Sequence, residues 1–194
     1  VEGLDDLQRD GDQSYELSIT IDSTDEAYQK LSTLQIPLIN SDDDIAELEL
    51  ESSSDQTSEE GESSEISIRL LSEPKGEVIV QLSLDKPDEA TLFPNSLTFD
   101  KSNWNVRQRL LVVGKDDNLA DGDQTVTVFV RVLGDSPEYV ALASQQITLT
   151  NRDDDIASIL IRAPERLSTS ESGTSDHFEV LLQSRPEASV RIPI

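Results

Sequence analysis

Aspartates form two compact clusters in this chain, and each cluster occurs twice. The segment GKDDNLADGDQTV at 114–126 matches GLDDLQRDGDQSY at 3–15, and NRDDDIA at 151–157 matches NSDDDIA at 40–46. Carboxylates at this density are typical ligands of hard divalent cations, and Ca²⁺ accepts about six to eight oxygens in a flexible geometry. The chemistry that these residue types suggest is therefore cation binding.

The copies are separated by a constant interval. Gly3 and Gly114 lie 111 residues apart, as do Asp44 and Asp155, while the turn TSEEG at 57–61 recurs 112 residues later as TSESG. Solenoid and propeller repeats cycle at roughly 20 to 50 residues, whereas one β-sandwich domain takes about 100. We therefore expect tandem domains: the C-terminal part of a first repeat at 1–44 (strands F and G), a complete repeat at 45–155, and the N-terminal part of a third at 156–194 (strands A to C).

Composition excludes several classes of function. The chain has 40 acidic and 15 basic residues and a net charge of −25, so it has no basic surface for nucleic acid or an anionic membrane. It has no cysteine, which excludes disulfides and thiolate metal sites and leaves oxygen as the metal ligand. No apolar run is long enough to span a membrane and no signal peptide begins the chain, and we expect the natural protein to be longer.

Period-two alternation of apolar residues dominates the chain and predicts β-strands. In the complete repeat the inward positions of seven expected strands are Ala46, Leu48 and Leu50 (A); Ile66, Ile68 and Leu70 (B); Val78, Val80, Leu82 and Leu84 (C); Leu97 and Phe99 (D); Leu110 and Val112 (E); Val126, Val128, Val130 and Val132 (F); Ile147 and Leu149 (G). Seven short strands without a helix in about 111 residues predict an all-β, immunoglobulin-like antiparallel sandwich.

Strand parity predicts where the acids meet. If strands cross the sandwich from end to end, then loops AB, CD and EF and the residues after strand G share one end. Their acids are Glu59, Glu60, Asp85, Asp88, Glu89, Asp116, Asp117, Asp121, Asp123, Asp153, Asp154 and Asp155. Two like charges about 4 Å apart repel by roughly 1 kcal/mol in water and about 4 kcal/mol at an effective dielectric near 20. Because this repulsion opposes folding, the pattern predicts a neutralising cation at this end of the sandwich.

Calcium fits this end better than magnesium, because loops supply a flexible oxygen shell and Mg²⁺ demands a tight octahedron. An EF-hand loop starting at Asp116 fails, since Asp121 takes the place of the required glycine. Two alternatives stay open: Asp121 and Asp123 also suit a turn before strand F, and the DDD runs also suit a solvated linker.

These stretches resemble the Calx-β family, the sandwich modules of sodium/calcium exchangers and of repeat arrays in large bacterial surface proteins and adhesins. The resemblance rests on the TSEEG turn, LFPNSLTFDKSNWN at 92–105, VVGKDDNLADGDQTVTV at 112–128 and the NRDDD run. It implies Ca²⁺ ligands from loops AB, CD and EF and from the acids after strand G. The residues that would take these roles, with their counterparts in the partial repeats, are Glu59, Asp85, Asp116, Asp117, Asp121, Asp153, Asp154, Asp155, Asp5, Asp6, Asp42, Asp43, Asp44 and Glu171.

Two other residues invite functional interpretations that we consider weaker. His177 follows Ser175 and Asp176, but consecutive residues do not form a catalytic triad, which converges from separate places around an oxyanion hole. Trp104 suits carbohydrate stacking if exposed, although packing at the edge of the sandwich is the better expectation.

We therefore expect a non-catalytic, calcium-binding segment of a large extracellular or cell-surface protein. Its repeats would be joined through calcium-bridged junctions into a stiff stalk or filament for adhesion, with neighbouring repeats or other copies of the protein as partners. Two alternatives remain, a calcium-sensing regulatory module of the exchanger type and a carbohydrate- or protein-binding surface module.

Overall fold

The computed structural model describes residues 1–193, and nearly all of its regular structure is β. The centre of the chain is a two-layer sandwich of nine strands: β3 (Leu48–Ser52), β4 (Gln56–Ser58), β5 (Ser63–Leu70), β6 (Val78–Leu84), β7 (Ala90–Phe93), β8 (Ser96–Phe99), β9 (Gln108–Gly114), β10 (Gln124–Gly134) and β11 (Gln145–Arg152). One sheet has the order β4-β11-β10-β6-β8 and the other β3-β5-β9-β7. The predicted all-β sandwich is confirmed.

The core forms where the alternation predicts it. On β5 the residues Ile66, Ile68 and Leu70 are buried while the residues between them are partly exposed, because successive side chains of a strand point to opposite faces. The same pattern on β6 and β10 supplies the facing layer, and Phe99 and Leu149 complete the core. Trp104 is half-buried and packs against this core, as expected for an edge position.

Two strands form that the sequence pattern did not predict, β4 and β7. Expected strand A is β3, which pairs antiparallel with β5; β4 follows it, crosses to the other sheet and pairs parallel with β11. Expected strand D is β8, and β7 precedes it across Pro94, which has no N–H to donate to a ladder. The sandwich therefore has nine strands rather than about seven.

The expectation that the chain has no helix is wrong, since two four-residue helices are present, α1 (Glu26–Gln29) and α2 (Pro137–Val140). Proline stands at the start of α2, where its missing N–H costs nothing. The helix is short, but it carries Tyr139, whose side chain is fully buried in the core. Neither helix is long and apolar enough to cross a membrane, and no other helix is found in residues 1–193.

Replacing Tyr139 with phenylalanine should destabilise the sandwich by about 2 kcal/mol. The Tyr139 hydroxyl donates to the Ser72 carbonyl (2.7 Å) and accepts from the Ser72 N–H (3.0 Å), so the variant leaves both backbone groups buried without a partner. Urea unfolding would measure the loss, with Tyr28→Phe as control because Tyr28 is exposed. Equal stability of the two variants would contradict the role of this hydroxyl.

The segments on either side of the sandwich are hairpins. Strands β1 (Gln13–Ile19) and β2 (Leu34–Asn40) pair antiparallel before it, and β12 (Ile159–Arg162) and β13 (Glu179–Leu182) pair antiparallel after it. Strands F and G of the first repeat and A and B of the third were expected here. The expected strand C of the third repeat does not form in the described part of its range, 190–193, and Ile194 lies outside the described residues.

Candidate metal centre

The loops expected to meet at one end of the sandwich do so. We call this end the acidic pole and define it by residues 59–62, 85–89, 115–123 and 153–155. Three hydrogen bonds from backbone N–H groups hold these loops together. Glu59 N–H donates to the carbonyl of Arg152, which precedes 153–155 (3.1 Å); Lys115 N–H donates to the Glu89 carbonyl (2.9 Å); and Gly122 N–H donates to the Asp153 carboxylate (2.6 Å).

Glu59 is the buried centre of the acidic pole. It follows β4 directly, and the turn closes at Gly61, whose φ of +96° lies in the region that favours glycine. Only 7% of Glu59 is exposed, and its Oε2 atom is buried without a hydrogen-bond partner. A buried carboxylate oxygen with no partner is costly, so the site favours a species that neutralises it.

Two sets of three carboxylates converge on Glu59. One set is Glu59, Asp116 and Asp154, and the other is Glu59, Asp117 and Asp155; within each set one oxygen of every carboxylate lies within 4.8 Å of the others. The Asp155 Oδ2 atom is also buried without a hydrogen-bond partner. Glu59 thus belongs to both sets. Its partners in the first set are exposed, and its partners in the second are partly buried.

Burial and mutual repulsion change the acidity of these groups. Burial, followed by the charges of Asp153, Asp117, Asp154 and Asp155, raises the pKa of Glu59 to about 7. Burial and the same run of neighbouring aspartates also raise the pKa of Asp155. The repulsion shows that the acidic pole, by itself, lacks enough positive charge to balance its carboxylates.

The nearby lysines do not supply that charge. Lys86 Nζ donates to the side chain of Gln124 (2.9 Å), and Lys115 Nζ donates to the Pro87 carbonyl (2.6 Å). Within the described residues neither lysine forms an ion pair. In the same part of the chain Arg152 is the one cation paired at the acidic pole, and its partner is Glu62 (2.9 Å) rather than a member of the two carboxylate sets.

Asp153 and Asp123 organise the backbone of the acidic pole. One Asp153 oxygen accepts the Gly122 N–H (2.6 Å) and the other accepts the Asp155 N–H (2.7 Å), while Asp123 accepts the Asp153 N–H (3.2 Å). Asp153 was expected to be a ligand, but both of its oxygens hold backbone N–H groups and it belongs to neither set around Glu59. Its geometry is that of a residue positioning Asp155.

The structure does not bring Asp85 or Asp121 into either set around Glu59. An Asp85 oxygen accepts the Thr127 N–H (2.7 Å), which lowers the pKa of Asp85. Burial, followed by the charges of Asp121 and Asp117, raises the pKa of Glu89. Lys115 N–H donates to the Glu89 carbonyl, a contact that the sequence pattern did not reveal.

The first repeat reproduces the aspartate geometry. Gly11 N–H donates to Asp42, Asp42 N–H donates to Asp12 (3.0 Å), and Asp44 N–H donates to Asp42 (2.9 Å), as in the later copy. Residues Asp5, Asp6, Asp42, Asp43 and Asp44 line one cavity of about 450 Å³. Burial and these neighbours raise the pKa of Asp44.

Glu171 of the third repeat is exposed and joins no acidic set in the described part of the chain. His177 is exposed as well, and the carboxylate beside it, Asp176, accepts the N–H groups of His177 and Ser168. The Asp176 carboxylate thus holds the backbone on either side of the turn at 170–174.

A second cavity, of about 360 Å³, lies where the sandwich meets the third repeat. Its apolar lining includes Ala157, Ile159, Leu182 and Val190. The corresponding residues of the complete repeat are Ala46, Leu48, Leu70 and Val78, which all belong to or pack against the sandwich core. The apolar lining of this cavity therefore corresponds in sequence to core positions of the sandwich.

Comparison with known proteins finds no family for this chain. No family model matches the chain, and no curated protein matches it. Among solved structures, the chain is similar to SSP-19, an MSP-domain protein like family member of Caenorhabditis elegans, at 11% identity and a TM-score of 0.34, covering 52% of this chain and 95% of that one.

Two further structures are similar to the same extent. WR4, a C. elegans MSP family member, matches at 12% identity and a TM-score of 0.36 over 53% of this chain and 95% of its own. The E. coli chaperone DraB matches at 12% identity and a TM-score of 0.39 over 74% of this chain and 89% of its own. At these identities and TM-scores the likeness assigns no family and no function to the chain.

Proposed function

We propose that this chain is a non-catalytic, calcium-binding segment in which the acidic pole of the sandwich holds Ca²⁺. The observation that carries the proposal is the buried Glu59 carboxylate, which has an oxygen without a partner and faces two sets of aspartates. A cation among these groups removes the repulsion that raises the pKa of Glu59 and supplies the missing partner of its oxygen.

The donor set matches calcium by number and type. Glu59, Asp116, Asp117, Asp154 and Asp155 offer only oxygen ligands, from a turn, a loop and the segment after β11. Such segments adapt to the irregular shell and longer bonds that Ca²⁺ accepts, whereas Mg²⁺ requires near-octahedral geometry and releases water reluctantly. A bound ion would lie at the centre of this set, with Glu59 shared between the two groups.

The resemblance to Calx-β modules extends the proposal to the setting of the protein. We infer that the repeats belong to a long extracellular or cell-surface array, with neighbouring repeats of the same chain as partners. Extracellular calcium modules bind with dissociation constants of about 10⁻⁴ to 10⁻³ M, which suffices where calcium is millimolar. Neutralising each acidic pole would then turn a self-repelling string of domains into a stiff stalk or filament.

Calorimetric titration of the chain with CaCl2 tests the proposal directly. We expect binding with a dissociation constant of about 10⁻⁴ M, much weaker binding of MgCl2, and at least a tenfold loss of calcium affinity in Glu59→Gln. Glu60→Gln is the matched control, because the adjacent Glu60 is exposed and lies in neither carboxylate set. The proposal would be overturned if the titration with CaCl2 gave no heat of binding, or if the two variants bound calcium with equal affinity.

The same titration distinguishes the alternative functions. A dissociation constant near the micromolar range would favour a calcium sensor of the exchanger type over a stalk, since sensors operate at about 10⁻⁷ to 10⁻⁵ M. The half-buried state of Trp104 does not favour a carbohydrate-binding module, because its ring packs against the core.

A further inference from the structure

The two junctions between repeats are closed by the same backbone contact. Glu73 N–H donates to the Leu7 carbonyl at the first junction, and Arg185 N–H donates to the Asn118 carbonyl at the second, both at 2.6 Å. Leu7 and Asn118 are 111 residues apart and Glu73 and Arg185 are 112 apart, which are the intervals of the sequence repeat. Consecutive repeats therefore meet through equivalent atoms.

In both donor residues, the backbone conformation is restricted by the residue that follows. Glu73 precedes Pro74 and Arg185 precedes Pro186. A proline disfavours the helical conformation of the residue before it and holds that residue extended. The donor side chains, one acidic and one basic, differ in charge. At the first junction the Glu73 carboxylate also accepts from the Gln8 amide (3.1 Å), so what the two junctions share is the backbone N–H contact.

Each acceptor belongs to a peptide group that also contacts an acid. The Asn118–Leu119 peptide accepts the Arg185 N–H through its carbonyl, while its own N–H donates to the Asp117 carboxylate (2.6 Å). At the first junction the Leu7–Gln8 peptide accepts the Glu73 N–H, and its N–H donates to the Asp6 carboxylate (2.8 Å). A single peptide group thus lies between the acid and the next repeat at both junctions.

The acids in these contacts are those of the metal centre. Asp117 belongs to the set with Glu59 and Asp155, and Asp6 is its counterpart 111 residues earlier. All members of both sets around Glu59 come from residues 59–155, so within the described chain the neighbouring repeat contributes no carboxylate to them. A connection between the ion and the next repeat must therefore pass through protein groups.

We propose that this peptide group is the link by which calcium at one acidic pole fixes the orientation of the next repeat. The inference rests on the proposed calcium site and specifies how it acts on its neighbour. An ion held by Asp117 fixes that carboxylate, the carboxylate fixes the Asn118–Leu119 peptide through its N–H, and the peptide carbonyl holds the Arg185 N–H. Without the ion, the Asp116, Asp154 and Asp155 carboxylates repel Asp117. This repulsion weakens the hydrogen bonds that connect Asp117 to Arg185.

Amide exchange measured by NMR on the whole chain tests the link. Saturating CaCl2 should slow exchange of the Arg185 N–H at least tenfold, and Glu59→Gln should abolish that effect without changing any group of the junction. The Glu73 N–H should respond less, because in the described residues no buried glutamate joins Asp5, Asp6 and Asp42–Asp44. Normal calcium binding with unchanged Arg185 exchange would overturn the link alone.

A pair of variants at one position tests the reverse direction. Arg185→Pro removes the donor N–H, whereas Arg185→Ala keeps it and removes only the side chain. Because coupling between two sites is reciprocal, Arg185→Pro should weaken calcium binding about fivefold and Arg185→Ala should leave it unchanged. Equal affinities of the two variants would contradict the link, and a chain that binds no calcium in calorimetry would overturn the proposed function together with it.

Discussion

Glu59→Gln should raise the melting temperature of the metal-free protein at pH 7.5 and reduce its fall in stability as the pH rises. Folding raises the pKa of Glu59 from its ordinary value of 4.5 to about 7, so the folded chain holds a proton that the unfolded chain has released. This contribution to stability is fully present below about pH 4.5 and is lost as the pH rises through about 7.

The expected size follows from the shift. One pKa unit corresponds to about 1.4 kcal/mol, so the metal-free protein should lose up to about 3 kcal/mol between pH 4.5 and 8 through this group. For a chain of this size that loss corresponds to roughly 6 to 12 °C in melting temperature. A neutral glutamine cannot titrate, and it also removes one charge from the repulsion among Asp117, Asp153, Asp154 and Asp155.

Scanning calorimetry in EDTA between pH 5 and 8 measures this effect. Glu60→Gln serves as the control, since its exposed side chain should leave the pH profile of the parent protein unchanged. Parallel profiles for Glu59→Gln and the parent would refute the assignment of the raised pKa to Glu59. With calcium present the order should reverse, because the ion stabilises only the chain that retains the Glu59 carboxylate.

Gly114→Ala should destabilise the sandwich by about 3 kcal/mol or more. A Cβ atom on Gly114 would overlap the side-chain oxygen of Asn151 and the backbone carbonyl of Ser58. Backbone cannot move aside as a flexible side chain does, so β9 must separate from β4 and β11. Asn151 also accepts the Thr57 hydroxyl (3.0 Å), and the displacement would reach Glu59 through Ser58.

Urea unfolding compares this substitution with Gly122→Ala. Gly122 has a φ of +81° and open space around its missing side chain, so alanine there costs only about 1 kcal/mol of backbone strain. We expect Gly114→Ala to lose most of its calcium affinity as well, while Gly122→Ala keeps a measurable part. Equal unfolding midpoints would show that the close approach at Gly114 relaxes without cost.

The alternation of apolar residues was sufficient to predict the sandwich and its core. Ile66, Ile68, Val80 and Val128 are buried at the expected positions because strand periodicity leaves only one face for the interior. Strand parity was likewise sufficient to predict that the loop carrying Glu59 meets the segment carrying Asp153, Asp154 and Asp155, since each crossing strand reverses the end at which the chain emerges.

The additional strands β4 and β7 and the roles of individual acids could not be predicted in the same way. The crossing of β4 to the second sheet depends on pairing with β11, a contact between residues nearly a whole domain apart in sequence. Asp153 and Asp155 look equivalent in a DDD run, but only the folded backbone shows that Asp153 accepts two N–H groups while Asp155 keeps a buried oxygen free.

The parallel pairing of β4 with β11 determines how the sandwich would respond to tension. Near the ends of the complete repeat, β4 (Gln56–Ser58) and β11 (Gln145–Arg152) run side by side in the same direction. A pull on the two ends of the repeat therefore slides these strands past each other, and their hydrogen bonds bear the force together instead of opening one after another. Glu59 follows β4 and Asp153 follows β11. An ion bound at the acidic pole would therefore hold the adjacent ends of these two strands together and oppose their sliding.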